Sequence, residues 1–291
     1  MDLNRIRYFS VLAGLKHVRK AADLLGMNPA SLSKAIKVLE HEVGFKLLVP
    51  VGRGIEITDR GMKLYRQSRA LLQEYNALQT AIKSKNEDSL RTIRMGSMEI
   101  FTTYFLCRLM STESISQKLR VLYLTPGKME EALKLREIDV GITYIRLPEE
   151  ELTYLKVGEF RMRIFGHKSM TIKKFEDLPF AVPVNGVTTP SVSLESLDGW
   201  PNDQFPRQIK YELELLETAL QFARSGKAVV FCPDFVADLH NSCLPNHLHL
   251  HSVAPPHGFK DKKLSIFIAH RKNDEESAFI RKLAKAVRTV T

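Results

Sequence analysis

The sequence predicts an α/β protein in two parts: a small, basic, helix-rich N-terminal unit and a larger domain of alternating strands and helices. Three observations lead to this prediction. Residues 17–41 have the pattern of two short helices joined by a tight turn, and residues 59–84 contain no proline and favour one long helix. From about residue 92 onward, strand-like and helix-like segments alternate, which indicates a parallel sheet flanked by helices.

The helix pair has clear start and stop signals. The first helix is predicted at 18–25, with Gly26 as the left-handed residue that ends it. Asn28 is expected to cap the second helix, and Pro29 suits its first position because an N–H is not needed there. The expected core positions are Ala21, Ala22, Leu24 and Leu25 in the first helix and Leu32, Ile36, Leu39 and Val43 in the second.

Small and basic residues occupy the other faces of the second helix, which is the arrangement with which a helix-turn-helix enters a DNA major groove. The candidate DNA-contacting residues are Asn28, Pro29, Ala30, Ser31, Ser33, Lys34 and Lys37, together with Arg53. The plainer alternative is an ordinary amphipathic helix pair with solvated lysines.

Two neighbouring features support DNA binding. In residues 44–61, two short apolar runs flank Gly52-Arg53-Gly54, a pattern that predicts a hairpin wing with a cation at its tip. Residues 1–64 carry eleven lysines and arginines against six acidic residues, an excess of five out of a whole-chain net charge of +10. This charge density favours a polyanionic partner, although composition alone does not separate DNA from RNA.

The predicted long helix, from Asp59 to about Ser84, carries a single apolar stripe. Its members are Met62, Tyr65, Leu72, Tyr75, Leu78 and Ile82, near heptad spacing. A helix too long to pack on so small a unit is expected to pair with a second copy of itself. Packing against the C-terminal domain of the same chain is the alternative.

The elements of the second domain follow in order. Strands are predicted at 92–97, 119–124, 139–144, 180–184, 207–213, 228–233 and 263–270. Helices are predicted at 103–110, 128–136, 216–225, 234–241 and 274–289.

Residues 1 to about 88 resemble the winged helix-turn-helix and linker helix of LysR-type transcriptional regulators. The matching positions are Leu3, Phe9, Ala21-Ala22, Leu25, Ser33, Ile36, Leu39-Glu40, Gly44, Leu47, Arg53, Thr58 and Gly61. His17, Leu48 and Pro50 depart from the family, which usually has a capping serine, a phenylalanine and a wing arginine there. The segments 133–143 and 217–233 resemble the effector domain of the same family.

The resemblance implies the domain organisation. It predicts a DNA-binding domain at 1–60, with its helix-turn-helix at about 18–41, a linker and dimerisation helix at 61–90 and an effector-binding domain at 91–291. The effector domain would have a periplasmic-binding-protein-like fold, with one lobe at about 92–161 and 266–291 and the other at about 162–265. It also implies dimers through the linker helix, assembled in pairs into tetramers.

A small-molecule cleft between the lobes is expected where parallel strands end. The candidate effector-binding residues are Ser97, Met98, Glu99, Thr125, Pro126, Tyr144, Phe231 and Pro233. A glutamate that faced the cleft would repel a carboxylate and favour a cationic or neutral effector, whereas a lone glutamate more often faces solvent. The effector and the operator stay unidentified.

Cysteine and histidine leave two alternatives open. Residues 240–257 hold five histidines and Cys243, enough ligands for a zinc or nickel site, with His247, His249 and His251 alternating along an expected strand. Cys232 and Cys243 could form a redox pair, but Cys232 follows an apolar strand where an inert buried thiol is expected. We predict neither a metal nor a cofactor.

Three cysteines and no N-terminal apolar segment favour a cytoplasmic protein without a membrane span.

Motifs of common enzymes are missing from the sequence. It contains no GxGxxG, GxxxxGK[ST], HExxH or GxSxG. We therefore predict a regulator that binds double-stranded DNA and responds to a small molecule, and not an enzyme. The alternatives are a ligand-binding or enzymatic α/β protein with an incidental basic N-terminal face, and a solute-binding protein, against which the basic unit counts.

Overall fold

The computed structural model describes residues 1–52, 54–83, 92–106, 118–170, 174–184, 187–188, 193–194, 197–260, 262–274 and 278–290. Its contacts divide the chain into two compact units. Met1–Thr92 makes up most of the first unit, and most of the second lies in the remainder of the chain. None of the helices in the described ranges combines the length and apolar character that a membrane crossing requires.

The first unit is a winged helix-turn-helix followed by a long helix. Its elements are α1 (Leu3–Leu15), α2 (Val18–Leu25), α3 (Pro29–Val43), β1 (Leu48–Val51), β2 (Gly54–Ile57) and α4 (Asp59–Lys83). Strands β1 and β2 pair antiparallel as the wing. The core of this unit joins Phe9 of α1, Leu32 of α3 and Tyr65 of α4, with the rings of Phe9 and Tyr65 edge to face at 6.5 Å.

Close contacts fix the wing and the start of α4. Glu40, near the end of α3, is buried and accepts hydrogen bonds from the backbone N–H groups of Leu47 (2.9 Å) and Leu48 (3.3 Å). A Cβ atom at Gly61 would collide with the carbonyl oxygen of Leu47. This contact explains why glycine occupies a helical position that its propensity alone disfavours.

The second unit is an α/β structure. Its strands are β3 (Ile93–Ser97), β4 (Leu119–Tyr123), β5 (Val140–Thr143), β6 (Leu152–His167), β7 (Pro179–Pro183), β8 (Val187–Thr188), β9 (Ser193–Leu194), β10 (Gln208–Leu213), β11 (Val230–Pro233), β12 (Leu250–Val253) and β13 (Lys262–Arg271). Its helices are α5 (Glu99–Tyr104), α6 (Lys128–Lys134), α7 (Leu216–Arg224), α8 (Asp234–Cys243) and α9 (Ala278–Val290), with single 3₁₀ turns at Phe175–Asp177 and Asn246–Leu248.

Strands β6, with 16 residues, and β13, with 10 residues, are the longest strands that the structure describes. The main sheet has the order β11-β6-β13-β5-β3-β4, and β12 also pairs with β6. Strands β3, β4 and β5 are parallel, whereas β13 is antiparallel to both β5 and β6, with a register shift between Ile266 and Phe267. Strands β7 and β10 form a separate parallel pair that touches the main sheet through a bridge between Phe180 and Val229.

The predicted α/β fold with an N-terminal winged helix-turn-helix and a long linker helix is confirmed, and most predicted elements lie within two residues of their observed bounds. Four expectations need correction. Leu24 is 70% exposed and not in the core. The helix expected to start at Thr103 starts at Glu99, and the part expected at 107–110 lies outside the described residues.

The third and fourth corrections concern strands. His247, His249 and His251 do not share a strand: His247 lies in a 3₁₀ turn, and of the three only His251 belongs to β12. The long strand β6 was not expected at all. The predicted lobe borders fall inside β6 and β13, and these borders stay a prediction.

Candidate nucleic-acid interface and ligand cleft

The turn between α2 and α3 has the conformation that its residues favour. Gly26 has φ of 63° and ends α2, and the side chain of Asn28 accepts a hydrogen bond from the N–H of Ala30 at 2.8 Å. Pro29 is the first residue of α3. Because Leu32 and Ile36 are buried beneath it, the start of α3 is held rigidly with its other faces outward.

The predicted DNA-contacting residues form one accessible surface on the first half of α3. Asn28, Ala30, Ser31, Lys34 and Lys37 are exposed, and Pro29 and Ser33 are half-buried beside them. Arg53 lies outside the described residues. Small side chains leave room for α3 to approach a groove closely, and the two lysines supply positive charge.

A groove that the sequence did not single out adjoins the wing. Its lining residues are Lys16, His17, Val18, Arg19, Gly52, Gly54 and Ile55. The imidazole Nδ1 of His17 accepts a hydrogen bond from the N–H of Lys20 at 3.3 Å, so histidine does the capping work that serine usually does in the resembled family. Lys16 and Arg19 give the groove positive charge, which suits a phosphate. The basic run from 16 to 20 was the available signal.

The second unit contains an apolar cleft of about 660 Å³, part of it open to solvent. It is lined by Met98, Glu99, Ile100, Tyr123, Tyr144, Met162, Ala181, Pro183, Leu197, Asp198, Leu213, Glu214, Leu215, Leu216, Ala219, Val230, Phe231, Cys232 and Pro233. The ends of β3, β4 and β5 contribute one side and the segments around β10, α7 and β11 the other, so the cleft lies where parallel strands end.

The cleft brings together five of the eight residues expected to bind an effector: Met98, Glu99, Tyr144, Phe231 and Pro233. Ser97 is buried, and its hydroxyl donates a 2.8 Å hydrogen bond to the carbonyl oxygen of Ile142 in the sheet. Thr125 and Pro126 follow β4 but are not among the lining residues. Asp198 and the segment 213–216 were not anticipated. Asp198 lies outside every predicted strand, whereas the segment 213–216 directly follows the strand predicted at 207–213, and this position was the available signal.

Glu99 has an unusual position in this cleft. Its carboxylate oxygens accept hydrogen bonds from the backbone N–H groups of Leu216 (2.7 Å) and Glu217 (3.1 Å), the first two residues of α7. Leu215 precedes this helix and has no polar side chain to cap it. Glu99 therefore satisfies helix N–H groups that would otherwise be left without partners.

A second contact joins α5 to α7 beside the first. The hydroxyl of Tyr104 donates to the carboxylate of Glu217 at 2.8 Å, and Arg224 donates to the same carboxylate at 2.9 Å. Burial raises the pKa of Tyr104 far above its usual range, and the hydrogen bond to Glu217 adds to the effect. Burial would also raise the pKa of Glu217, but its hydrogen bonds from Tyr104 and Arg224 outweigh this effect and lower that pKa.

A buried ion pair supports the wall of the cleft. The guanidinium group of Arg207 donates to Asp198 at 2.6 and 3.2 Å, and the side chains are 0% and 4% exposed. The same guanidinium group lies 5.4 Å from the ring centres of Phe180 and Trp200. The charge of Asp198 is therefore neutralised within the protein and is not left for a ligand.

The metal and redox alternatives gain no support from the geometry. Within the described ranges, no three histidine, cysteine or acidic side chains are grouped closely enough to hold a metal ion. Cys232 is buried and Cys243 is exposed, and neither forms a disulfide. Burial raises the pKa of the Cys232 thiol far above its usual range, which makes the reactive thiolate scarce.

Comparisons with known proteins place both units of the chain in one family. A model of the bacterial regulatory helix-turn-helix protein of the lysR family matches residues 3–62, and a model of the LysR substrate binding domain matches residues 86–291. The regulator YvbU of Bacillus subtilis is 24% identical over 280 residues, covering 91% of this chain and 92% of its own. BenM of Acinetobacter baylyi is 26% identical over 306 residues, covering 100% and 96%.

Among solved structures, full-length CbnR in complex with its target DNA matches with a TM-score of 0.64. The identity is 15%, and the match covers 100% of each chain. At this identity the likeness shows the fold, in which the N-terminal unit, the long helix and the α/β domain occur in the same order.

Proposed function

The chain belongs to the LysR family of bacterial transcriptional regulators, and we propose that α3 reads its operator while the groove beside the wing binds the DNA backbone. It is a DNA-binding regulator with an effector-binding domain. The exposed, basic first half of α3, held by the Asn28 cap and the buried Leu32 and Ile36, carries this proposal. Operator contacts are assigned to Asn28, Pro29, Ala30, Ser31, Ser33, Lys34, Lys37 and Arg53.

We assign the backbone contacts to Lys16 and Arg19 as well as to Arg53. The groove formed by Lys16, His17 and Arg19 with Gly52 and Gly54 brings positive charge beside the wing. Contacts of this type fix the position of the protein on DNA without reading sequence. The structure of CbnR with its target DNA supports such binding by analogy.

The long helix α4 is the proposed dimer interface. Leu71 (44%), Leu78 (59%) and Ile82 (77%) are large apolar side chains that stay exposed, and with the half-buried Tyr75 they follow an alternating three- and four-residue spacing. This spacing is that of a two-stranded coiled coil. A dimer would present two copies of α3 to a two-fold operator, and we propose tetramers as pairs of such dimers.

The proposed domain borders are 1–60 for DNA binding, 61–90 for the linker and 91–291 for effector binding. A small molecule is proposed to bind in the cleft between the lobes and to act by binding one arrangement of them more tightly than another. The proposal requires no catalytic step, and we infer that the protein works in the cytoplasm, where it meets DNA.

Genome-wide selection of DNA fragments by the full-length protein at near-physiological salt tests the proposal. We expect enrichment of one site with two-fold symmetric half-sites, because a dimer presents its two α3 helices symmetrically. Lys34→Ala should weaken binding to this site by about tenfold while the protein stays folded. Lys168→Ala, an exposed lysine in the second unit, serves as the charge-matched control.

Binding without sequence preference at any salt concentration would contradict the assignment of α3. Wild-type affinity in Lys34→Ala would remove that residue from the interface. Arg53→Ala should lower affinity for all sequences alike, and a loss confined to one sequence would mean that Arg53 reads bases.

A further inference from the structure

Glu99 occupies the place in the cleft where an anionic ligand would bind best. The first N–H groups of a helix, with the positive end of its dipole, form a favourable site for a carboxylate. In α7 these donors point to the two oxygens of Glu99, at 2.7 and 3.1 Å. The carboxylate comes from a position 117 residues earlier in the chain, so this is a tertiary contact and not local capping.

The remaining charge of the cleft is also negative. Its other acidic lining residues are Glu214, two residues before α7, and Asp198, which Arg207 neutralises. Neither lysine nor arginine occurs among the described lining residues. Tyr123 also lines the cleft. Burial and, to a smaller extent, the negative charges of Glu99 and Glu214 raise its pKa. The field in the cleft therefore disfavours anions and favours cations.

We propose that Glu99 is the specificity-determining residue of the cleft: its carboxylate fills the anion subsite at the start of α7, so the cleft rejects carboxylate ligands and accepts uncharged or cationic apolar ones. This inference rests on the proposed effector-binding function of the same cleft. A carboxylate ligand would have to displace Glu99 from two N–H groups and then remain beside it and Glu214. An uncharged or cationic ligand contacts the apolar walls and leaves the Glu99 contact intact.

Chemical rescue tests the proposal. In full-length Glu99→Ala, the N–H groups of Leu216 and Glu217 lose their partner, and the thermal unfolding midpoint should fall by several degrees. Added acetate should restore it saturably, by about 3–6 °C at tenfold its dissociation constant. Sodium chloride at equal ionic strength controls for screening, and Glu214→Ala controls for loss of an acidic lining residue that caps no helix. Glu99→Ser provides the same test if Glu99→Ala does not fold.

The wild-type protein should show no such acetate effect. Equal responses of wild-type and variant proteins, or none in either variant, would overturn the proposal. Benzoate, benzamide and benzylamine share one ring and can be titrated while the fluorescence of Trp200, the single tryptophan, is recorded. Trp200 lies two residues after Asp198 in the cleft wall. If the wild-type protein bound benzoate with a lower dissociation constant than benzamide and benzylamine, the proposal would also be overturned.

The same preparations should be tested for binding to the selected DNA site. If acetate rescue fails while sequence-specific DNA binding persists, only the role of Glu99 is wrong. If specific DNA binding is absent and rescue succeeds, the carboxylate subsite stands and the proposed function fails.

Discussion

Tyr104, Glu217, Arg224 and His240 form a single network of hydrogen bonds and ring contacts. The guanidinium of Arg224 donates to Nδ1 of His240 at 2.6 Å, which requires that nitrogen to carry no proton. On the other side, Nε2 of His240 lies 3.2 Å from the carboxylate of Glu217, and its ring packs against Tyr104. Burial lowers the pKa of His240; Arg224 lowers it further, and Glu217 acts in the opposite direction.

The lowered pKa of His240 predicts that the protein loses stability in mild acid. The unfolded chain binds a proton at this histidine near pH 6.5, whereas the folded chain binds it only at lower pH. The contribution of His240 to the free energy of unfolding is therefore present above about pH 6.5 and is lost below that value, as the pH falls through the lower pKa of the folded state. Urea unfolding between pH 8 and pH 5.5 measures this effect. His240→Gln should show a shallower pH dependence, by at most about 1.4 kcal/mol per pH unit.

His251, exposed in β12, provides the matched control. His251→Gln should keep the wild-type pH dependence. Parallel curves for the wild type and His240→Gln would mean that the network tolerates a protonated His240.

Single residues with local roles could be predicted from the sequence, whereas residues with distant partners could not. Gly26 ends α2, and Asn28 and Pro29 start α3; these helix-boundary roles depend on neighbours within four positions, and the structure confirms them. Glu99 depends on donors more than a hundred residues away. Sequence reasoning could place it in the cleft and note its charge, but its partner depends on the tertiary fold.

At the scale of elements, helices and strands with a regular apolar period could be predicted from the sequence, whereas a strand with an interrupted period could not. The boundaries of α2 and α3 agree with the sequence prediction because caps and a helical period mark them. In β6, the buried Phe160, Met162 and Ile164 alternate with charged residues, which was a usable signal. Its first half has no such alternation, because paired strands and helices cover it unevenly, and the strand was missed.

The exposed apolar side chains of α4 predict that charge placed on them dissociates the proposed dimer. We expect the double variant Leu78→Lys, Ile82→Lys to raise the dimer dissociation constant by at least about tenfold, because two apolar side chains lose their burial and gain like charges across the interface. Sedimentation equilibrium of the full chain measures this constant.

Asn76→Lys is the control for added charge, since Asn76 lies on another side of the same helix. It should leave the dissociation constant within about threefold of the wild type. An unchanged dissociation constant in the double variant would mean that α4 is not the dimer interface. It would favour the alternative, in which α4 packs against the C-terminal domain of the same chain.

At the scale of the whole molecule, the cleft and the DNA-binding face must be linked through free energy if the chain responds to an effector. A ligand shifts an equilibrium only by its differential affinity for the two states. The contacts of α5 with α7, through Glu99 and Tyr104, give the lobes a defined arrangement that a ligand in the cleft can stabilise or disrupt.

This linkage predicts reciprocity. A small molecule selected for its effect on Trp200 fluorescence should change the affinity of the full chain for its operator by about 5- to 150-fold, and the operator should change the affinity for that molecule by the same factor. Titrating the ligand with and without operator DNA, and the DNA with and without ligand, gives both factors. Tyr104→Phe, which removes one contact between α5 and α7, should alter the coupling factor more than the operator affinity of the unliganded protein. A cleft ligand that changes neither affinity would mean that the cleft does not control DNA binding, because binding there would then stabilise every arrangement of the lobes equally.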